Sequence, residues 1–478
     1  MTSPRFSDDP AAPVQAIFDT FQRRVDDGHT PASAFVLFSA EGIELEGGFG
    51  QLQLGGSAPQ GRTAFRIASC TKSFTCATLL LLRDRGLLDL DTPITAFVPE
   101  FTPNTPPSDP VTPTVRMLMT MSAGLPTDDP WGDRQEAMTR AELGALLRAG
   151  VPTVSIPGTA FEYSNLGYAL LGQVIASVTQ RPYIEVVTEE LLRPLRLDST
   201  GFRAQDAGSE LALGYRRSGD RWVELPFSDP GVFSPMGGLF STPHDLARWA
   251  GWLASAFSPA GAQDGPLSPA SRREMQQIHR SIAADPDAPE TSHGEQGYGL
   301  GLFVERDPVW GTQAYHSGGY PGFSTHMRWS HEAQIGVVGF ENATYSGAKV
   351  PVAEALDLAV RHLGRRVVGA APWPETVALR EAAESLVVAW DDSVADRIFA
   401  DNVAPDIPYD ERVATIASAI ESVGGLEPEH TRDASEARGD SPAHLVWHIP
   451  GRNGRLRCEI RLTPTTPAAI QTFIVTAV

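Results

Sequence analysis

Residues 69 to 82 read Ser-Cys-Thr-Lys-Ser-Phe-Thr-Cys-Ala-Thr-Leu-Leu-Leu-Leu, with a serine and a lysine three positions apart at the start. Apolar or small residues then recur at helical spacing, at Phe74, Ala77, Thr78, Leu81 and Leu82. This periodicity predicts a buried helix that begins near Ser69. Because residues three apart lie on the same face of a helix, we expect the Lys72 amine within reach of the Ser69 hydroxyl.

Lys72 is unusual in this chain, because only one other lysine, Lys349, is present and the remaining 36 of the 38 basic residues are arginine. Arginine stays protonated in proteins. A lysine amine in apolar surroundings has a lowered pKa and can act as a base near neutral pH. The sequence therefore predicts Ser69 as a nucleophile and Lys72 as its base.

The composition is that of a globular protein, with 42% hydrophobic residues over 478 positions, a length that favours two domains. A formal net charge of −20 disfavours binding to nucleic acid or to anionic membranes. We find no run of about 18 apolar residues and no secretory signal between Met1 and Pro13, and we therefore expect a cytoplasmic protein. The three cysteines and 11 histidines show no metal-ligand spacing, so neither a metal nor another cofactor is expected.

The order of the predicted elements favours an α+β fold. Helical patterns occur near residues 11–25, after Ser69, at 165–195 and at 350–363, and strand-like patterns occur at 34–50, 297–305, 326–329 and 335–340. This order predicts an antiparallel sheet flanked by helices. The helical middle is expected to form a second lobe, with a ligand-binding cleft between the two.

The character of the sequence changes after Gly369-Ala-Ala-Pro-Trp-Pro374. Two helical segments and several short strands follow, and the Asn453-Gly454 pair is a strong hairpin signal. We therefore predict a larger domain over residues 1–368 and a small α+β accessory domain over residues 369–478. The accessory domain shows no reactive cluster, so its expected role is packing or self-association into a homo-oligomer, with a lid over the cleft as the alternative.

Two further groups of residues are candidates for chemistry. In Tyr163-Ser-Asn165, the phenol can exchange a proton with a serine and the amide can orient a substrate, although Asn165 can also cap the following helix and Tyr163 can simply pack. In His316-Ser-Gly-Gly319, the two glycines permit another segment to approach the backbone closely, although an ordinary glycine turn has the same composition. Each group alone leaves both explanations open.

Taken together, the groups at Ser69, Tyr163 and His316 resemble, in order and in neighbourhood, the serine β-lactamase-like superfamily. That superfamily contains class C β-lactamases, penicillin-binding DD-peptidases, β-lactamase-fold esterases and D-aminopeptidases. The resemblance runs from about residue 11 to residue 364. Further segments that match the family pattern are Phe65-Arg-Ile-Ala-Ser69, Val115 to Leu125, Pro157-Gly158, Gly167-Tyr168, Pro194-Leu195, Gly237-Gly238 and Asp245-Leu-Ala247.

The resemblance implies a β-lactamase/transpeptidase-like fold and a reaction through an acyl-enzyme. By analogy with the family, Ser69 attacks a carbonyl carbon, and Lys72 and Tyr163 pass its proton to the leaving group. Asn165 is expected to bind the acyl side of the substrate.

The resemblance also implies that His316, Gly318 and Gly319 contact the substrate, and that the backbone N–H groups of Ser69 and Gly319 form the oxyanion hole. β-Lactamases and many penicillin-binding proteins have Lys-Thr-Gly where this chain has His316-Ser-Gly318. That lysine binds a substrate carboxylate, whereas a histidine is mostly neutral at pH 7. The departure therefore favours an ester, or an amide without an obligatory carboxylate.

The sequence thus predicts a serine hydrolase that acts on a carboxylic ester or a small amide. One alternative is a D-amino-acid amidase or aminopeptidase, because the esterase and D-aminopeptidase branches commonly have His-x-Gly at this position. A DD-peptidase-like enzyme is a further alternative. An alternative of a different class is a noncatalytic ligand-binding scaffold that keeps the family fold.

Overall fold

The computed structural model describes residues 11–104, 111–208, 210–258, 261–283, 294–307, 311–362, 372–427 and 437–478. The chain divides into two compact units, Met1–Arg366 and Val367–Val478. Within the described ranges, no helix combines the length and the apolar character that a membrane span requires.

The first unit is built from helices and strands that alternate along the chain. Its helices are α1 (Ala11–Asp26), α2 (Thr71–Asp84), α3 (Val115–Met119), α4 (Arg140–Arg148), α5 (Asn165–Thr179), α6 (Tyr183–Val187), α7 (Ser234–Gly237), α8 (Pro243–Ala254), α9 (Pro269–Met275) and α10 (Lys349–His362). Its strands are β1 (Ala32–Ser39), β2 (Gly42–Gly50), β3 (Phe65–Arg66), β4 (Pro103–Asn104), β5 (Val151–Pro152), β6 (Gly214–Ser218), β7 (Arg221–Leu225), β8 (Phe240–Ser241), β9 (Arg280–Ser281), β10 (Glu295–Tyr298), β11 (Phe303–Asp307), β12 (Gly311–Tyr320), β13 (Phe323–Ser330) and β14 (Ile335–Glu341).

Eight of these strands form one antiparallel sheet in the order β2-β1-β14-β13-β12-β11-β10-β9. Strand β1 is buried along its whole length, because helices cover both faces of the sheet. Phe35 and Leu37 pack in the core that includes Phe21 of α1. Val36 and Phe38 point to the other core, on the side of α8. The predicted antiparallel sheet flanked by helices is therefore observed.

Helix α2 carries the first candidate residues and lies among the helices of the first unit. It contacts α5, α6 and α7, and every residue from Thr71 to Leu82 is buried. The Phe74 ring stacks on Trp249 of α8 with the ring centroids 3.9 Å apart. Because the helix is surrounded on all sides, its residues are buried around the whole circumference rather than along one stripe, and the small polar residues Thr71, Ser73, Thr75 and Thr78 are buried with the apolar ones.

One predicted strand is wrong in its extent. Residues 297–305 are expected to form a single strand, but they hold the end of β10 and the start of β11, which pair as a hairpin. Gly301 lies in the connecting turn with φ of +75°, and a Cβ at this position would lie 2.6 Å from the Lys72 carbonyl oxygen. Close packing of the turn against α2 therefore interrupts a segment whose composition alone favours a continuous strand.

The second unit has helices followed by a small sheet. Its elements are α11 (Pro374–Val388), α12 (Asp392–Ile398), α13 (Val403–Asp406), α14 (Tyr409–Ser422), β15 (His444–Gly451), β16 (Gly454–Leu462) and β17 (Ile470–Ala477). The strands pair antiparallel in chain order, and the hairpin predicted from the sequence joins the first two. Its two turn residues are Arg452 and Asn453, one position before the predicted Asn-Gly pair, and Gly454 is the first residue of β16. Leu386, Trp447, Leu456 and Phe473 belong to a core that is separate from those of the first unit.

Candidate active site

Ser69 lies in the turn that leads into α2. Ala68, immediately before it, has φ of +47°, a left-handed conformation that costs a non-glycine residue about 1 kcal/mol. The Ile67 N–H donates to the Leu239 carbonyl at 2.9 Å, which anchors the start of the turn. Tertiary contacts thus hold Ser69 in a strained turn, where 5% of its surface is exposed.

The Lys72 amine is held by three hydrogen-bond partners. Its Nζ lies 2.8 Å from Ser69 Oγ, 2.7 Å from Asn165 Oδ1 and 2.9 Å from the Met236 carbonyl oxygen. The amide and the backbone oxygen can only accept, so two N–H bonds of the amine point at them. The remaining tetrahedral position faces Ser69, and in the free amine this position holds the lone pair that can accept the serine proton.

The Lys72 amine is shifted toward its neutral form. Burial lowers the pKa of Lys72 to about 8, although Asp129, Asp133 and Asp128 act in the opposite direction. At pH 7, a group with this pKa is the free base in about a tenth of the molecules. A base of useful population is therefore available without a strongly alkaline solution.

The Tyr163 ring lies beside the amine, with Lys72 Nζ 4.9 Å from the ring centroid. The ring also stacks on Phe303 at a centroid distance of 6.4 Å. Burial raises the pKa of Tyr163 well above its usual range, and a hydrogen bond with Ser69 works against that shift. The phenol is therefore protonated at neutral pH, so it can donate a hydrogen bond or a proton but is not the first base.

Asn165 begins α5, and two carboxylates from one loop hold it. Its backbone N–H donates to Asp128 Oδ1 at 2.6 Å, and its side-chain Nδ2 donates to Asp129 Oδ1. Because a carboxylate only accepts, this second bond leaves Asn165 Oδ1 for Lys72. Ser164, rather than Asn165, is the N-cap of the helix. The Asn165 amide is therefore part of the candidate site and not of the cap.

Both ring nitrogens of His316 are occupied. Nδ1 lies 2.6 Å from the Ser317 carbonyl oxygen, so it carries the hydrogen, and Nε2 then accepts from the Tyr298 hydroxyl at 3.1 Å. Burial, and secondarily Lys72, lowers the pKa of His316 to about 3. The ring is therefore neutral at physiological pH and supplies no positive charge for a substrate anion.

Gly318 and Gly319 lie within β12, where two segments approach the strand closely. A Cβ on Gly318 would lie 2.2 Å from the Ile67 carbonyl oxygen, and one on Gly319 would lie 2.5 Å from Cδ1 of Tyr345. Strand β11 pairs with β12 only as far as Tyr315. The turn that holds Ser69 contacts the remainder of β12, so the absence of side chains at these positions permits the contact.

Three carboxylates and one tyrosine complete the site, and sequence reasoning missed all four. Asp128, Asp129 and Asp133 raise the pKa of Lys72, and the Tyr345 hydroxyl donates to Asp133 at 2.6 Å. Burial raises the pKa of Asp133 to about 6. Their only signal in the sequence is the density of acidic residues in Asp128-Asp-Pro-Trp-Gly-Asp133. Nothing in that loop indicated that it folds against Lys72.

The structure thus brings the side chains of Ser69, Lys72, Tyr163 and Asn165 together, with the Gly318 backbone against the same turn. The His316 ring lies 6.3 Å from the Tyr163 ring, and its nitrogens bind other partners. In the part of the chain that the structure describes, no three His, Cys, Asp or Glu side chains are grouped so as to hold a metal ion.

An antiparallel sheet flanked by helices, with a serine and a lysine at the start of one buried helix and a tyrosine from a second segment beside the lysine, defines a protein of the β-lactamase-like class. The chain belongs to the Beta-lactamase family, whose sequence profile matches residues 17–362. The family resemblance and the β-lactamase/transpeptidase-like fold predicted from the sequence are confirmed.

Individual relatives are distant. Protein flp of Staphylococcus aureus (strain MRSA252) is 26% identical over 373 residues, which are 74% of this chain and 66% of flp. The octameric penicillin-binding protein homologue from Pyrococcus abyssi gives a TM-score of 0.63 at 19% identity and covers 97% of this chain and 99% of its own. A D-stereospecific amidohydrolase from Streptomyces sp. gives a TM-score of 0.58 at 24% identity, and the match covers 73% of this chain and 98% of the amidohydrolase. At these identities the structural matches establish the fold alone.

Proposed function

We propose that the protein is a serine hydrolase that forms an acyl-enzyme on Ser69 and hydrolyses a carboxylic ester or a small amide. One observation carries the proposal. Lys72 Nζ lies 2.8 Å from Ser69 Oγ, while its two other partners are carbonyl oxygens. An amine that is fixed in this way, with a pKa of about 8, is a base aimed at a single hydroxyl. Membership of the Beta-lactamase family supports hydrolase activity.

In the first half-reaction, Ser69 Oγ attacks the carbonyl carbon of the substrate while its proton moves to Lys72 Nζ. The bond from that carbon to the leaving alcohol or amine then breaks. The leaving group takes a proton from the Tyr163 hydroxyl, which is restored by the proton held on Lys72. Water next attacks the acyl ester, its proton returns to Ser69 Oγ, and the carboxylic acid product leaves.

The negative charge of the tetrahedral intermediate needs donors that are already in place. We assign this role to the backbone N–H groups of Ser69 and Gly319, which lie on the contacting turn and strand. Removal of one such donor typically costs about 3 to 4 kcal/mol of transition-state stabilisation. The N-terminus of α2 adds a favourable field for a negative charge at Ser69.

The charge around the site favours a substrate without a carboxylate near the scissile bond. His316 is neutral, with a pKa of about 3, where related enzymes place a lysine. Asp129 is exposed and bonds to the amide of Asn165. A substrate anion near Asp129 would be repelled by this partly solvated carboxylate. At a separation of several ångströms the repulsion is about 1 kcal/mol, which lowers kcat/KM roughly fivefold.

A D-amino-acid amidase or aminopeptidase is the second candidate, and the same charge distribution favours it over a DD-peptidase. The exposed Asp129 carboxylate next to Asn165 would attract a substrate with a free amine on its acyl side. A DD-peptidase-like substrate carries a terminal carboxylate, for which the neutral His316 offers no partner. The similarity in fold to the D-stereospecific amidohydrolase agrees with this candidate without deciding for it.

A fluorophosphonate probe followed by mass spectrometry tests the nucleophile. We expect the label on Ser69 and none on the Ser69→Ala variant. A wild-type chain that stays unlabelled and turns over no substrate would show a noncatalytic scaffold. Turnover of p-nitrophenyl acetate and of D-alanine amide then separates esterase from amidase, because turnover of the amide alone would contradict the esterase assignment. Neutral butyrate and anionic succinate p-nitrophenyl esters provide the matched pair for the charge argument.

We further propose a cytoplasmic location and self-association through the small α+β domain at residues 369–478. Cys70, Cys76 and Cys458 are all free and buried, which suits a reducing compartment. The Pyrococcus abyssi homologue, described as octameric, matches 97% of this chain. Cell fractionation tests the location. Sedimentation of the full chain and of a chain that ends at residue 368 tests the assembly.

A further inference from the structure

A buried carboxylate, Glu136, joins the two backbone segments that the proposed reaction uses as oxyanion donors. Arg66 lies three residues before Ser69, and Tyr320 directly follows Gly319. The Arg66 Nη2 and the Tyr320 hydroxyl both donate to Glu136 Oε2, the hydroxyl at 2.6 Å. One oxygen atom therefore connects the turn that carries Ser69 to the strand that carries Gly319.

The three side chains are enclosed by the protein. The exposed fractions of the Arg66 and Glu136 side chains are 1% and 0%. The guanidinium lies between two rings, 4.7 Å from the centroid of Phe240 and 4.3 Å from that of Tyr320. Arg66 Nε and Nη1 have no hydrogen-bond partner within the described residues. The single charged contact to Glu136 and the two rings therefore fix the position of the guanidinium.

Hydroxyl groups and two closely packed glycines surround Arg66 and Glu136. The Thr325 hydroxyl donates to the Arg66 carbonyl oxygen at 3.2 Å, which ties β13 to the segment before Ser69. The Ser234 hydroxyl approaches the other oxygen of Glu136 at 3.4 Å. A Cβ on Gly231 would lie 2.4 Å from the Glu136 carbonyl oxygen, and one on Gly238 would lie 2.8 Å from its Oε1. Glu136 therefore has little freedom to move.

A contribution to stability does not by itself explain why this buried Arg66–Glu136 pair is present. Replacing a buried ion pair by apolar side chains of similar volume is often neutral or stabilising. The same pair is useful, however, where two backbone N–H groups must keep a fixed separation, because a misplacement of about 1 Å can cost about a hundredfold in rate. The position of Arg66 and Tyr320, each close in sequence to one of the two donors, matches that requirement.

We propose that Glu136, Arg66 and Tyr320 form a positioning network that sets the distance between the Ser69 and Gly319 N–H groups. The inference rests on the proposed function, because it concerns the oxyanion hole of that reaction. None of the three residues needs to touch the substrate. Glu136 also lies three residues after Asp133 in the chain, so the same network anchors the acidic loop that faces Lys72.

The Tyr320→Phe variant tests the network with the smallest change. It keeps the ring under Arg66 and the Arg66–Glu136 pair, and it removes only the hydroxyl, which binds Glu136 and also interacts with Ser228. We expect kcat for p-nitrophenyl acetate to fall about tenfold with KM unchanged. The inhibition constant of a boronic acid, whose adduct on Ser69 places a negative oxygen in the oxyanion hole, should rise by the same factor. Tyr315→Phe is the matched control, because Tyr315 is a buried tyrosine of the same strand whose hydroxyl binds Gln296 instead.

The outcomes are distinguishable. A tenfold loss in Tyr320→Phe alone, with parallel changes in kcat and boronic acid affinity and an unchanged thermal unfolding midpoint, supports the network. Wild-type kcat in Tyr320→Phe overturns it, and so does an equal loss in the Tyr315→Phe control. If the wild-type chain neither hydrolyses the ester nor binds the boronic acid, the proposed function itself is wrong, and the network loses its role with it.

Discussion

Replacement of Lys72 by arginine keeps a positive charge and removes the ability to lose it. The pKa of Lys72 is about 8, whereas that of an arginine is above about 12. At pH 7 the free-base fraction at this position then falls from about a tenth to below about 10⁻⁵. General base catalysis supplies about 10² to 10⁴ in rate, so we expect Lys72→Arg to lower kcat/KM by at least about a hundredfold.

Geometry acts in the same direction. The Lys72 amine directs tetrahedral bonds at Ser69, Asn165 and the Met236 carbonyl oxygen. A guanidinium is planar and larger, and it has no lone pair that could accept the serine proton. The Lys72→Arg variant therefore cannot recover activity through a small rearrangement of the side chain. A folded but nearly inactive protein is the expected result.

The measurement is kcat/KM for p-nitrophenyl acetate between pH 6 and 9.5. The wild type should rise with pH and level off above a midpoint near 8, because the deprotonated amine is the active form and its pKa is about 8. The variant should show no such inflection. Lys349→Arg is the matched control, since Lys349 is exposed at the start of α10 and is the second of two lysines. It should keep the wild-type profile.

The assignment of Lys72 as the base is refuted if Lys72→Arg keeps more than a tenth of the wild-type kcat/KM. It is equally refuted if the wild-type midpoint near pH 8 persists in that variant, because the titrating group must then lie elsewhere. Circular dichroism and the thermal unfolding midpoint show whether the variant is folded. A loss of activity that follows a loss of fold does not count for the assignment.

Four further changes give separate outcomes. Tyr163→Phe should lower turnover of an alkyl ester about tenfold more than that of a p-nitrophenyl ester, because nitrophenolate leaves without a proton; equal losses on both would contradict its role as donor. Asp129→Asn should move the midpoint of the pH profile below that of the wild type, because Asp129 is the strongest of the carboxylates that raise the pKa of Lys72; an unchanged or higher midpoint would show that the carboxylate does not act on the amine. Gly318→Ala should destabilise the fold by about 1 to 3 kcal/mol and reduce labelling by the fluorophosphonate, since its Cβ would lie 2.2 Å from the Ile67 carbonyl oxygen; denaturant unfolding measures the first effect, and wild-type values would disprove the close contact. Between pH 8 and 10.5 the folded wild type holds fewer protons on Lys72 than its unfolded chain, so its free energy of unfolding should rise by about 3 kcal/mol through this group. Lys72→Met lacks the group and should fall behind wild type by that amount over the same range. A pH-independent difference between the two would mean that the pKa is not lowered.

The helix after Ser69 could be predicted because its signal is local. The spacing of Phe74, Leu81 and their neighbours determines a helix period, and the helix itself brings Lys72 to Ser69. The hairpin near Asn453-Gly454 is equally local, since a two-residue loop depends on adjacent residues, although the loop residues are Arg452 and Asn453 rather than the predicted pair. Predictions of this kind need no knowledge of what the rest of the chain does.

Apart from Ser69, the groups that surround Lys72 could not be predicted in this way. The Met236 carbonyl oxygen is a backbone atom, and every residue has one, so no sequence pattern marks it. Asp129 and Glu136 lie in a loop without periodicity, and only the tertiary fold places one beside Asn165 and the other beside Arg66. Composition alone does not separate a solvated charged side chain in such a loop from one that contacts a buried group.

Packing also changed the meaning of local signals. The two glycines at 318 and 319 have the composition of a turn, yet they lie inside β12, because the turn before Ser69 and the Tyr345 ring occupy the space of their side chains. Residues 297–305 have the composition of a strand, yet Gly301 turns against the Lys72 backbone. In both places a neighbour from a distant part of the chain decides the local structure.

The carboxylates of residues 128–133 explain how the Lys72 amine can both accept a proton and return it in one catalytic cycle. Complete burial without nearby anions would lower the pKa of Lys72 so far that the amine would stay neutral. It could then not hold the serine proton until the leaving group needs it. Full compensation by Asp129 and Asp133 would restore a pKa near 10.5 and leave almost no free base at pH 7. The balance of burial against these carboxylates gives a pKa of about 8. Both protonation states then lie within about 1.4 kcal/mol of each other at pH 7, which is the condition for accepting a proton in one step and returning it in the next.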